Sequence, residues 1–128
     1  MKLLMDTHVF LWYVWDDPKL SEKSIALIEN PDNEKYLSIA SLWEMAIKVS
    51  TGKLELTRSF DRLVPELVYG NGFELLPIAF AHTVRVSALE FHHKDPFDRL
   101  LVAQGLAENM PILSADSILD AYNVTRLW

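Results

Sequence analysis

The chain has 128 residues, which gives room for one domain over 1–128 and little for a second. Half the residues are hydrophobic and 23% are charged, which excludes a disordered chain and supplies a core able to bury roughly two-thirds of the unfolded surface. With no cysteine there is no disulfide scaffold and no thiolate metal ligand, and the formal net charge of −6 gives nucleic acid no overall attraction, although an acidic pocket can sit beside a local basic patch.

Lys2 to Met5 is a short apolar run that reads as a buried strand. Asp6 breaks the N-terminus before a secretory apolar core could form, and the run Val9 to Trp15 is far short of a membrane span. A soluble, cytoplasmic protein with no membrane partner is expected. Phe10 to Trp15 is apolar on nearly every side, so it is either a core helix or a groove for a partner helix or dimer face. Leu20 to Glu29 reads as a helix with Ser21 near its cap. Tyr36 to Ala40 is a second strand and Leu42 to Val49 a helix. Phe60 to Val68 has a helical pattern weakened by Pro65. The cluster Tyr69-Gly70-Asn71-Gly72 is a turn that leads into a third strand, Phe73 to Ile78. Helices follow over Phe80 to Phe91 and Pro96 to Glu108, then strands over Pro111 to Ser114 and Val124 to Trp128.

Short apolar strands separated by helices predict an α/β fold with a parallel sheet covered on both faces. Ligands of such sheets bind beyond the carboxyl ends of the strands. Four acids lie there. Asp6 directly follows the first strand, Glu44 follows the second, and Asp116 follows the fourth; Asp98 heads the helix that leads to that strand. Each has an ordinary reading. Ser41 and Glu44 have capping-box spacing, Asp95 suits a cap before Pro96, Asp98 suits a first helical turn, and Asp116 can cap the next turn. Taken together they describe a cleft whose like charges raise each other's pKa unless a cation neutralises them. All-oxygen ligands select Mg²⁺ or Mn²⁺, and such a site suits phosphoryl transfer.

The same residues resemble a known family. Leu4-Met5-Asp6-Thr7-His8 looks like the opening of PIN domains. Ser38-Ile39-Ala40-Ser41-Leu42-Trp43-Glu44-Met45-Ala46-Ile47-Lys48, followed by Gly52-Lys53-Leu54, is similar to the second acidic motif of one bacterial branch. His93-Lys94-Asp95-Pro96-Phe97-Asp98-Arg99 and onward to Gln104 resembles the third motif, Leu113-Ser114-Ala115-Asp116 the fourth, and Arg126-Leu127-Trp128 the ending. That branch resembles the VapC-like toxins of type II toxin–antitoxin pairs. The resemblance implies a three-layer α/β/α sandwich on a five-stranded parallel sheet. It also implies a Mg²⁺- or Mn²⁺-dependent endoribonuclease restrained by a small antitoxin, and a homodimer.

The resemblance carries over Asp6, Glu44, Asp98 and Asp116 as catalytic, metal-binding acids, with Thr7 and Ser114 as supporting hydroxyls. Where the family pattern often has a polar residue, this chain has Ala115. Asp95, three residues before Asp98, could also face the cleft, and the expectation is that Asp98 is the ligand and Asp95 the cap. On this reading Asp6, Glu44 and Asp98 hold a first ion, and Asp116 completes a second site or orients the attacking water. Lys48 and Arg99 are the leading candidates for RNA contacts, ahead of Lys53, Arg58 and Lys94. His92-His93 gives no zinc site, because no third N or S ligand is evident. His8 and His82 are expected to be partly buried and neutral. Two rival readings are a non-catalytic module that kept the fold, and a Mg²⁺-binding receiver-type domain. The receiver needs an acid after the third strand, where Pro77-Ile78-Ala79 stands.

Overall fold

The structure, a computed structural model, describes residues 1–128. Five strands form one sheet, all parallel: β1 (Lys2–Met5), β2 (Glu34–Ser38), β3 (Phe73–Leu76), β4 (Ile112–Leu113) and β5 (Arg126–Leu127), in the order β3-β2-β1-β4-β5. Parallel neighbours need crossover connections. From β1 to β4 these carry the helices α1 (Thr7–Val14), α2 (Glu22–Glu29), α3 (Ile39–Ser50), α4 (Phe80–Ser87) and α5 (Pro96–Glu108), whereas a 3₁₀ turn (Ser117–Ala121) joins β4 to β5.

β1 is apolar at successive positions because both of its faces are covered. Leu3 and Met5 join Phe10, Ile28, Met45 and Phe73 in one core, while Leu4 joins Leu101, Val102 and Ile112 in the other. Gly105 lets α5 press onto β4, since a Cβ there would come within 2.9 Å of Ile112 Cδ1 and 3.3 Å of the Met110 carbonyl. The aromatic run is mainly core. Phe10 and Tyr13 meet Phe73 edge-on with centroids 5.3 and 5.8 Å apart, Trp12 meets Trp128 at 6.0 Å, and Trp15 stays exposed. No helix is long and apolar enough to cross a membrane.

Several expected boundaries move, each for a local reason. The second strand ends at Ser38 rather than Ala40, because the Ser38 hydroxyl caps α3 by accepting from the Ala40 amide at 3.0 Å. Ser41 therefore lies inside α3, and the Ser41–Glu44 capping box does not form. The segment expected to be helical over 60–68 is a 3₁₀ turn (Phe60–Arg62) followed by wider π-type turns (Leu63–Val68), with Pro65 unable to donate an α-helical hydrogen bond. β3 stops before Pro77, and the ladders of β4 and β5 are two residues each. Helix α4 ends at Ser87 rather than Phe91. The Arg99 guanidinium takes up the carbonyls of Glu90, Leu89 and Val86, at 2.9, 3.1 and 3.4 Å, and stacks 3.9 Å from the Phe91 ring centroid.

Candidate active site

The strand order reverses at β1, with β2 and β3 on one side and β4 and β5 on the other, and the crevice of an open parallel sheet lies at such a point. Asp6 leaves β1 there and Asp116 follows β4. A depression of about 320 Å³ is lined by Asp6, His8, Val9, Trp12, Ala115 and Asp116.

Each acid is held differently. Asp6 is the N-cap of α1: Oδ1 faces the His8 amide at 3.4 Å, and Oδ2 accepts from the Ser114 hydroxyl at 2.6 Å. Ser114 Oγ in turn accepts from the Asp116 amide at 3.0 Å, so one hydroxyl ties the ends of β1 and β4 together. Asp116 caps a 3₁₀ turn (Ser117–Ala121), with Oδ1 accepting from the Ile118 amide at 3.0 Å. Its Oδ2 lies 2.7 Å from His93 Nε2.

Glu44, in the second turn of α3, is buried. Its Oε1 is 2.9 Å from Thr7 Oγ1, and its Oε2 accepts from Lys48 Nζ at 2.9 Å. Thr7 Oγ1 also lies 2.8 Å from Ser41 Oγ. A carboxylate can only accept, so the Thr7 hydrogen goes to Glu44 and Ser41 is left to donate to Thr7. Glu44 thus has a hydroxyl on one oxygen and a cation on the other.

Asp95 caps α5, its Oδ1 accepting from the Phe97 and Asp98 amides at 2.8 and 3.1 Å. Asp98, one turn in, is half-buried, and its carboxylate takes no hydrogen bond from the protein. Its pKa is pushed up to about 6, first by burial, then by Asp95 and Asp6; His93 opposes this when protonated, and Glu44 adds to it. Asp6 and Glu44 are thus near enough for their charges to act on Asp98, although neither Glu44 nor Asp98 lines the depression itself.

Of the cations expected at the cleft, Lys48 is committed to Glu44, with its side chain 38% exposed. Arg99 departs from the expectation of an RNA contact: it is buried, and its guanidinium is taken up by backbone carbonyls at the end of α4. His8 is exposed rather than partly buried, and His82 is fully buried, bonded to the Ala79 amide and to Glu108. Two side chains beside the acids, His93 and Tyr122, have no site role in the sequence reading, and Ser41, read there as a cap, instead bonds to Thr7. His93 lay in plain view within the His93–Asp98 motif, but whether a histidine is buried between two partners depends on which residues the fold brings to it.

These oxygens suit a hard divalent ion. No three histidine or acidic side chains converge tightly enough to enclose an ion unaided. Mg²⁺ is ordinarily held by one or two carboxylates and keeps several waters, which an acid-lined open cleft allows. The unbonded Asp98 is the donor that fits such an ion best.

A profile described as PIN domain matches residues 3–124. No curated protein sequence matches the chain. Among solved structures, the chain is similar to VapBC2 from Rickettsia felis bound to a DNA fragment from their promoter, at 15% identity and TM-score 0.71, covering 99% of this chain and 98% of that one. It is similar to VapBC-1 from nontypeable Haemophilus influenzae at 12% identity and TM-score 0.69, covering 99% and 97%. FitAcB from Neisseria gonorrhoeae gives 15% identity and TM-score 0.68, covering 98% and 96%. At these identities the likeness is one of fold.

Proposed function

The chain belongs to the PIN-domain family, and from that premise we propose that it is a metal-dependent endoribonuclease, the toxin of a type II toxin–antitoxin pair. The observation that carries the reading is Asp98, a half-buried carboxylate beside other acids that the protein itself leaves unbonded. Burying an ionised group without a partner is costly, and a divalent ion removes that cost.

In this reading all 128 residues form one catalytic domain. Asp98 and Asp6 offer the principal oxygen ligands, Asp6 with its orientation fixed by Ser114. Asp116 presents its remaining lone pairs from the other side of the same crevice, and Glu44 contributes from behind Thr7. Bound Mg²⁺ or Mn²⁺ would supply a water of lowered pKa and positive charge for the phosphate oxygens. The reaction is hydrolysis of an RNA phosphodiester to a 5′-phosphate and a 3′-hydroxyl. Lys48, at the rim, is the residue assigned to the RNA backbone.

The partners assigned are an RNA substrate, a small antitoxin protein and a second copy of this chain, in the cytoplasm. The antitoxin is supported by the likeness in fold to VapBC and FitAcB structures, the homodimer by the sequence resemblance.

The test is incubation of the purified chain, free of any partner, with total RNA and separated transfer RNAs in Mg²⁺, Mn²⁺ or chelator. Discrete cleavage is expected with metal, none with chelator, and none with Asp98→Asn. A chain that binds no divalent ion and cuts no RNA returns the four acids to helix capping and makes the non-catalytic module the better reading.

A further inference from the structure

We propose that His93 and Tyr122 are positioning residues for Asp116, a buried pair that fixes the orientation of one acid of the cleft. The proposal rests on the nuclease reading above. It starts from a side chain that the mechanism does not use. His93 is buried, with only 6% of its side chain exposed, yet it stands at the edge of an acidic crevice. Both of its ring nitrogens are taken. Nε2 lies 2.7 Å from Asp116 Oδ2, and Nδ1 lies 2.9 Å from the Tyr122 hydroxyl.

The chemistry of the partners sets the protons. An ionised carboxylate only accepts, so Nε2 carries a hydrogen whether the ring is neutral or charged. The Tyr122 hydroxyl turns to match the other nitrogen, donating to a neutral ring and accepting from a charged one. The support of Asp116 therefore survives either state of the imidazole. Because neither nitrogen has a lone pair free towards the cleft, His93 is neither a metal ligand nor a proton carrier in this arrangement. It acts through Asp116.

The pair is rigid for reasons that lie in the core. Tyr122 is buried among Leu101, Val102 and Leu119, and its amide donates to the Leu119 carbonyl at 3.1 Å. The two rings are nearly parallel, 9° apart, with centroids 5.6 Å from each other. Asp116, by contrast, is about a third exposed and sits on a short 3₁₀ turn. One donor, the Ile118 amide, holds one oxygen; His93 holds the other. Two donors on two oxygens leave the carboxylate a single plane, whereas one leaves it free to swing about its side-chain bonds. Orienting bonds of this kind to ligating carboxylates typically change metal affinity or activity by about 10–100-fold when lost.

The test uses geometry that separates a donor from a ring. In His93→Gln, the amide nitrogen reaches the place of Nε2 and still donates to Asp116. In His93→Asn it reaches only the place of Nδ1, and in His93→Leu no donor remains. Each variant is read by kcat and KM on a cleaved RNA, by the Mn²⁺ affinity from electron paramagnetic resonance, and by thermal unfolding in chelator. The expected result is His93→Gln near wild type. His93→Asn and His93→Leu should fall about 10–100-fold in kcat or in Mn²⁺ affinity with KM for RNA unchanged. Tyr122→Phe should fall less in the same quantities. His93→Gln as defective as His93→Leu overturns the proposal, because the ring itself would then be needed; so does His93→Leu with wild-type kcat and Mn²⁺ affinity. If the wild type cuts no RNA but binds Mn²⁺, the nuclease reading fails alone, and the Mn²⁺ affinities of the three variants still decide the role of His93. A wild type that neither cuts nor binds overturns both.

Discussion

Glu44, on the α3 side of the cleft, is buried and fully answered by the protein, with Thr7 on one oxygen and Lys48 on the other. Asp98, on the α5 side, is half-buried, and its carboxylate has neither a hydrogen bond nor an ion pair within the protein. Both are acids in the first two turns of a helix, and both contribute to the same electrostatic knot. The difference lies in what stands four residues on. Glu44 has Lys48 at that spacing on its own helix, whereas Asp98 has Val102, a core residue. The α3 acid is thus paired within the fold, and the α5 acid is not; on the proposed function, a bound ion fills that place. Counting carboxylates would make the two equivalent; counting their partners separates them.

The largest effect expected from breaking this contrast is at Asp98. Asp98→Asn should reduce RNA cleavage to background in Mg²⁺ and Mn²⁺, while its metal-free form unfolds at a higher temperature than the wild type at pH 7 to 8. Activity retained in the variant would assign the open position to another acid. The same residue gives a pH dependence. Its folded pKa of about 6 stands above the usual 3.8, so the folded state holds the proton more tightly than the unfolded chain does. Below the lower value the acid is neutral in both states and costs nothing. As pH rises through the window from the lower value to the upper, ionisation destabilises the metal-free fold, and above the window the cost is constant. Denaturant unfolding in chelator at pH 4 and pH 7 should therefore show the Asp98→Asn advantage at pH 7 and little of it at pH 4. Saturating Mn²⁺ should reverse the sign at pH 7, because the ion binds only the ionised wild type.

Smaller effects follow on the α3 side. Thr7→Val leaves a buried Glu44 oxygen without its donor and should cost about 1–3 kcal/mol in urea unfolding, with Mn²⁺ restoring little of it. An unchanged midpoint would mean that water replaces the hydroxyl freely. Lys48→Met makes Glu44 resemble Asp98. Since Lys48 is partly exposed, the loss in chelator should be no more than about 1 kcal/mol, recovered when Mn²⁺ is added. If the metal does not recover it, Glu44 lies outside the reach of the ion.

Much of the architecture was legible in the sequence because parallel strands buried on both faces are written as unbroken apolar runs, and Lys2–Met5 is one. Asp6 and Asp116 were legible for the same reason, as polar residues placed where such runs stop. Glu44 was harder. Two serines, Ser38 and Ser41, each satisfy the requirements of a helix cap, so a capping role beside Ser41 competed in the sequence with the reading of Glu44 as an acid of the cleft. Arg99 misled in a different way. Its partners are backbone carbonyls at the end of α4, and no side-chain pattern advertises a carbonyl that needs a donor. His93 and Tyr122 meet only because the turn after β4 folds back against the segment before α5, a proximity that spacing along the chain does not contain.

The bond from Ser114 to Asp6 joins residues 108 positions apart. During synthesis β1 leaves the ribosome first, but one of its two edges stays vacant until β4 follows it. A nascent chain that ends before β4 has Asp6, Glu44 and Asp98 in hand, yet lacks the hydroxyl that orients the first and the acid that faces it across the crevice. The four-acid cleft is therefore a property of the nearly finished molecule. For a chain that would cut RNA as proposed, this order of assembly leaves the site incomplete while most of the message is still being read.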